Sequence, residues 1–325
     1  VADMFALTRQ LQESLDLHPA IASKAERGYN LFSGTPLAPF RSKPSPLSAE
    51  LSPVEAFRSI ALSCLDHFQR NEHGLRDSED PEYVHQARVA LRRLRSAIKL
   101  FTPVLPNDFV AAYGETWKTL ASALGDARNW DVFLDETLPP IRAAFPKEPD
   151  VTRLKREGLR RARRARKAVT TLMALAEYPK LITEFTAAVF ALSDMVPISL
   201  ANLASNQLTR HARKAHKLAT RHAELEAAER HKMRICFKKL RYTLEFFAPL
   251  LPGKRLTPYL RALNQLQDEL GLINDHVTAE ALIGVALAKR RKGAVHGWVL
   301  GRHALLIGEL PDALEIWLRQ REPWK

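Results

Sequence analysis

The sequence predicts an all-α protein built from two related helical bundles. Three observations carry that expectation. No stretch of the 325 residues sustains the apolar/polar alternation of a half-buried strand. Only 13 glycines interrupt a chain that is 46% hydrophobic, a composition suited to long helices around a core. One segment also occurs twice. His85-Gln-Ala-Arg88-Val-Ala-Leu-Arg92-Arg93-Leu-Arg95 returns, 146 residues later, as His231-Lys-Met-Arg234-Ile-Cys-Phe-Lys238-Lys239-Leu-Arg241.

The elements follow in chain order. Residues 1–17 read as a short amphipathic helix ending near His18-Pro19. Residues 33–53 hold Gly34 and Pro36, Pro39, Pro44, Pro46 and Pro53. Pro44-Ser-Pro46 rules out a helix at that point, so residues 1–52 form an N-terminal helix and a proline-rich linker. The compact region opens near Leu51, where Ser52-Pro53-Val-Glu55 has the pattern of a capped helix start. From there helices are expected at roughly 53–72, 82–102, 107–137, 150–175, 179–194, 200–226, 228–248, 255–290 and 294–320. The repeat extends beyond the basic segment. Phe101-Thr-Pro103-Val-Leu105-Pro106 matches Phe247-Ala-Pro249-Leu-Leu251-Pro252, and Tyr113, Leu120, Leu124 and Gly125 match Tyr259, Leu266, Leu270 and Gly271. Repeat one then covers 53–195 and repeat two 200–320 within a region 53–320. Such units pack as bundles, and a pseudo-twofold axis would set their equivalent stripes against each other.

Charge is concentrated rather than spread. The formal net charge is +13. Segments 85–99, 210–222 and 231–241 carry five Arg or Lys each and no acid, and 153–167 carries nine against Glu157 alone. The rest of the chain holds 25 cations and 35 anions, which points to a local site for a polyanion. At 100° per residue, His85, Arg88, Arg92 and Arg95 fall within about 80° of one another, and Lys99 joins them. Ala87, Leu91, Leu94, Ile98 and Phe101 form the adjoining apolar face. The second copy repeats this with His231, Arg234, Lys238 and Arg241, although Glu245 replaces Lys99. Arg93 and Lys239 point to another flank. Cations at the edge of a core can line a groove, and arginine's fork of donors matches phosphate oxygens. Arg153, Arg156, Arg160 and Arg163, with Arg210, Arg213, Lys214 and Lys217, have similar spacing and would extend that wall. The 153–167 stretch reads as readily as an exposed basic helix. The two histidines either touch the anion or hold the arginines in place. Leu124-Gly125 and Leu270-Gly271 mark close packing or a bend. Asp131 and Asn274-Asp275 read as caps or arginine partners.

Other chemistry finds no motif. Cys64 and Cys236 give neither a disulfide framework nor zinc spacing, which fits a reducing compartment. No glycine-rich phosphate loop, HExxH or nucleophile–base pair is visible, so no catalytic residue, metal or cofactor is expected. No apolar run approaches the roughly 18 residues of a membrane span, and no signal peptide is seen, so no membrane partner is expected. The chain begins with Val, as expected of a piece excised from a longer protein.

At these residues the sequence resembles the CHAD family, the conserved-histidine α-helical domain. The resemblance covers about residues 53–320 and rests on His85-x-x-Arg88-x-x-x-Arg92-Arg93-Leu-Arg95, on His231-x-x-Arg234-x-x-x-Lys238-Lys239-Leu-Arg241-Tyr242, and on the two Leu-Gly elements. It implies two four-helix bundles with pseudo-twofold symmetry and a basic central channel. It also implies a partner, inorganic polyphosphate, and a cytoplasmic location on polyphosphate granules. Ser23-Lys24-Ala-Glu26-Arg27-Gly28-Tyr29 resembles the end of a CYTH domain, implying such a domain ahead of this region in the full-length chain. The Glu-x-Glu-x-Lys motif of that family is missing, so triphosphatase chemistry is not implied. The expected function is non-enzymatic polyphosphate binding. The alternatives are a nucleic-acid-binding helical protein, which the scarcity of aromatics on the stripes disfavours, and an accessory domain of a polyphosphate or triphosphate phosphohydrolase.

Overall fold

A computed structural model describes residues 1–34, 38–42, 47–287 and 293–325. Pro36, Pro44, Pro46 and the expected end of a helix near residue 290 lie outside these described residues. Among the described residues the chain is all-helical, without a strand. The α-helices are α1 (Ala2–Ser14), α2 (Lys24–Ser33), α3 (Pro53–Gln69), α4 (Glu72–Asp77), α5 (Pro81–Phe101), α6 (Asn107–Tyr113), α7 (Lys118–Val132), α8 (Leu138–Ala144), α9 (Pro149–Met173), α10 (Glu177–Ala191), α11 (Leu200–Ala219), α12 (Ala227–Phe247), α13 (Gly253–Leu287) and α14 (Ala294–Leu318). They divide into two compact units, residues 1–128 with 164–200 and residues 129–163 with 201–325. These units do not share the boundaries of the sequence repeat, because 129–163 packs with the second.

In the first unit, α3 begins as its sequence requires. Ser52 Oγ accepts from the Glu55 amide at 3.2 Å, and the Glu55 carboxylate accepts from the Ser52 amide at 2.8 Å. Its buried face, including Phe57, Ile60 and Phe68, packs against α5. Asp80 accepts from the Glu82 amide and Pro81 occupies the first turn, which starts α5 one turn before His85. The helix expected over 107–137 is broken. α6 ends at Tyr113, and a Cβ on Gly114 would stand 2.6 Å from the Val110 carbonyl oxygen. The four-residue turn at 114–117 sends Trp117, fully buried, edge-on against Phe185 at 5.3 Å. After α7 one π-helical turn, Phe133–Thr137, leads into α8 in the second unit.

The N-terminal segment is more ordered than a linker. α1 docks on α10, where Phe5 meets Phe190 at 6.1 Å and Arg9 pairs with Glu184 at 2.6 Å. The spacing Ser23-x-x-Glu26 begins a further helix, α2, with Ser23 Oγ accepting from the Glu26 amide. Residues 38–42 are then strapped to the unit. Fully buried Asn71 accepts from the Phe40 amide at 3.0 Å and donates to the Phe40 carbonyl at 2.9 Å and the His67 carbonyl at 2.7 Å. Arg70 covers the Phe40 ring at 5.1 Å and pairs with Glu26 at 2.8 Å.

In the second unit, α12, α13 and α14 pack around Phe237, Tyr259, Leu263, Leu266 and Trp317, with Phe237 and Trp317 edge-to-face at 4.7 Å. α13 reaches a mean hydropathy of 1.3 over 18 residues, enough by length and composition to cross a membrane. Within that stretch Leu270, Ile273, Ala279, Ile283, Ala286 and Leu287 are buried, and Leu272, Val277 and Val285 are exposed.

The repeat is visible in the backbone. α5 and α12 each end in a phenylalanine with near-equal angles (Phe101 φ −90°, ψ 2°; Phe247 φ −93°, ψ 6°). Each is followed by one 3-10 turn and an extended leucine, Leu105 or Leu251. The paired prolines enforce this, since neither segment can continue a helix through them. The two Leu-Gly elements do not mark tight packing. Both lie inside uninterrupted helices. A Cβ on Gly125 would make ordinary contact with Arg88 at 3.5 Å, and one on Gly271 would meet nothing within 4 Å. Asp131, Asn274 and Asp275 sit in helix interiors, so they cap nothing.

Candidate polyanion site

The α5 stripe lies where the helical wheel puts it, along the edge of the core. Ala87, Leu91, Leu94 and Ile98 are wholly buried. Beside them, the Nε atoms of Arg88, Arg92 and Arg95 are shielded from solvent, while the residues as a whole remain partly exposed. Each arginine therefore packs its stem on the core and presents its tip, the usual behaviour of a long amphipathic cation. The α12 stripe repeats this at matching positions, with the Nε atoms of Arg234 and Arg241 shielded and Lys238 half-buried.

The two stripes differ at both ends. His85 is half-buried and His231 is exposed. Burial is the chief cause that lowers the pKa of His85, and the charges of Arg128, Arg92 and Arg88 add to it against Glu82. Arg128 of α7 therefore belongs to this cationic cluster, although it lies on neither stripe. At the other end Lys99 is exposed, and it and Arg95 lie near Glu115, whose carboxylate is held low chiefly by Lys118. In α12 the equivalent of Lys99 is Glu245, and it pairs with Arg241 at 3.3 Å. The last turn of that stripe is thus partly neutralised.

His231 and Arg234 border a cavity of about 80 Å³ that Arg230, Asn274 and His303 also line. Asn274 is in register with Arg128, so both repeats place a polar side chain of the following long helix beside the motif histidine. That position follows the matched glycine by three residues, a signal the repeat alignment already contained. His303 had no such signal, because nothing in its local sequence ties α14 to α12.

The remaining candidates are distributed differently. Arg153, Arg156, Arg160 and Arg163 of α9 are exposed, and Arg160 is occupied by Glu157 at 2.7 Å. Glu157 also holds Arg161 at 2.7 Å, and the two guanidiniums bring its carboxyl down to about 2. Arg210, Arg213, Lys214 and Lys217 of α11 are exposed as well. Arg210 and Lys214 act on His211 together with Lys239, which places them beside the flank of Lys239. The offset-eight cations do serve another surface. Arg93 lies beside buried Cys64 and His67, and Lys239 beside Cys236 and His211. Among the described residues no group of three or more His, Cys, Asp or Glu could hold a metal ion.

Comparison with known proteins decides the family. The CHAD domain matches residues 59–284 of the chain. This chain belongs to the CHAD family. The crystal structure of the CHAD domain from the plant Ricinus communis is 32% identical to it, with a TM-score of 0.75 over 88% of this chain and 98% of that one. PptA from Streptomyces chartreusis shares the fold at 16% identity, with a TM-score of 0.58 over 85% of this chain and 99% of that one. No curated protein matches this CHAD chain.

Proposed function

We propose that this CHAD chain binds inorganic polyphosphate through the stripes of α5 and α12, as a binding module and not a catalyst. The CHAD family is linked to polyphosphate binding in general. The observation that carries the reading is the matched burial of Arg88, Arg92, Arg95, Arg234 and Arg241. Their stems are fixed on the core, so their donors are ordered before the ligand arrives, and less side-chain entropy is lost on binding. A phosphate chain is a linear array of the oxygens that guanidinium forks recognise. That the two stripes wall one channel, and that the domain carries its protein to polyphosphate granules, are parts of the same proposal.

The test is a titration with long-chain polyphosphate at several salt concentrations, comparing the chain with Arg92→Glu, Lys238→Glu and the double variant. Affinity should fall with salt, because bound phosphates release condensed counterions. Each reversal should weaken binding and make the salt dependence shallower by about one unit of slope per lost phosphate contact. Unchanged affinity in a folded double variant overturns the site. Two binding events, each lost in only one single variant, overturn the shared channel. Displacement by duplex DNA at equal phosphate concentration favours nucleic acid, and phosphate release favours a hydrolase.

A further inference from the structure

The cavity beside His231 differs in kind from the open stripes. It lies within the second unit, between α12, α13 and α14. Five of its lining side chains can donate hydrogen bonds: Arg230, His231, Arg234, Asn274 and His303. Its other lining residues are apolar and none is a carboxylate. Another cavity of the same unit, about 570 Å³, is instead rimmed by Glu136 and Asp275 as well as Arg302, and so favours neither charge. Three of the donors are held in place. Arg230 Nη1 donates to the Leu225 carbonyl, the Arg234 stem is shielded, and Asn274 lies 3.5 Å from Thr278 Oγ1. His303 Nδ1 is buried with no hydrogen-bond partner among the described residues. A buried polar nitrogen left unmatched costs stability, and a ligand that bonded it would remove that cost. About 80 Å³ holds several waters. That is room for one tetrahedral anion and not for a continuous chain.

We propose that this pocket takes a single phosphoryl group, the end of a phosphate chain, and that His303, Arg230 and Asn274 are contacts for it alongside His231 and Arg234. The proposal rests on the polyphosphate reading and adds a site for chain ends to it. A long polymer has two ends and many interior phosphates, so the pocket contributes to short chains far more than to long ones.

The experiment compares three probes on the full chain: orthophosphate, tripolyphosphate and long-chain polyphosphate, titrated by calorimetry against the parent, His303→Ala and Asn274→Ala, with circular dichroism confirming the fold. Each substitution should lower tripolyphosphate affinity about tenfold, the scale of one hydrogen bond to a charged group, and change long-chain affinity by less than about twofold. His303→Gln, which keeps a donor, should restore part of the loss. If orthophosphate binds and is lost in step, a lone phosphoryl group suffices. If only tripolyphosphate responds, the pocket needs a chain behind the terminal group. Tripolyphosphate affinity unchanged in both variants, with long-chain binding still weakened by Arg92→Glu, overturns the pocket and leaves the polyphosphate reading intact. Long-chain binding unaffected by Arg92→Glu with Lys238→Glu overturns the reading itself.

Discussion

His85 shows how one residue's surroundings set its use. Burial and the charges of Arg128, Arg92 and Arg88 keep its protonation below the ordinary histidine range, so it is neutral at pH 7. A bound polyanion would favour the charged form and draw a proton onto the ring. Polyphosphate affinity should therefore rise as pH falls below about 6.5, and His85→Gln should flatten that rise. A parent titration with the same affinity at pH 5.5 and 7.5 would make His85 a spacer for the arginines. The opposite linkage acts on stability. The unfolded chain takes up the proton more readily, so the free protein loses this contribution as pH falls below 6.5.

At the scale of elements, the strap at residues 38–42 is the clearest departure from a free linker. Asn71 satisfies both backbone groups of Phe40 at once, because its amide carries an acceptor oxygen and a donor nitrogen side by side. Asn71→Ala would leave those groups and the His67 carbonyl without these partners, costing about 2–3 kcal/mol. Denaturant unfolding should show the loss, and limited proteolysis should open new cleavage sites near residue 40. A variant as stable and as resistant as the parent would mean that the strap is held elsewhere. The helices were largely legible because apolar periodicity is local. α3, α5, α9 and α12 begin and end within a few residues of where their caps and prolines put them. The break at Gly114 was not legible, because it answers a distant demand, the burial of Trp117 against Phe185. α2 was legible in principle through Ser23-x-x-Glu26, but its apolar residues face outward. Leu31 and Phe32 are 83% and 91% exposed, so no core-facing stripe announced it.

For the whole molecule, one buried carboxyl gives stability a pH dependence opposite in sign to that of His85. Glu72 is largely buried, receives a hydrogen bond from the Tyr178 hydroxyl, and has Arg76 no closer than 3.9 Å. Burial pushes its pKa up to about 7, against the Tyr178 and Arg76 interactions that lower it. The folded chain thus holds a proton that the unfolded chain releases between pH 4.5 and about 7, so stability falls as pH rises through that window. The loss is on the order of 3 kcal/mol once the group ionises. Glu72→Gln should remove this part of the slope and leave the variant more stable than the parent at pH 8. Chemical denaturation at pH 5 and 8 measures this, and equal slopes in both proteins would refute it.

The sequence by itself determined that the chain is helical, that a cationic stripe recurs at a fixed offset, and which residues of each stripe share a face. Those properties follow from helical periodicity and from residue chemistry, which act over neighbouring turns. Tertiary structure decided which stripe cations are neutralised and how far each histidine is buried. It also placed Arg128 beside His85, and Asn274 and His303 around one cavity with His231. Such neighbours come from helices far apart in sequence, and packing alone brings them together.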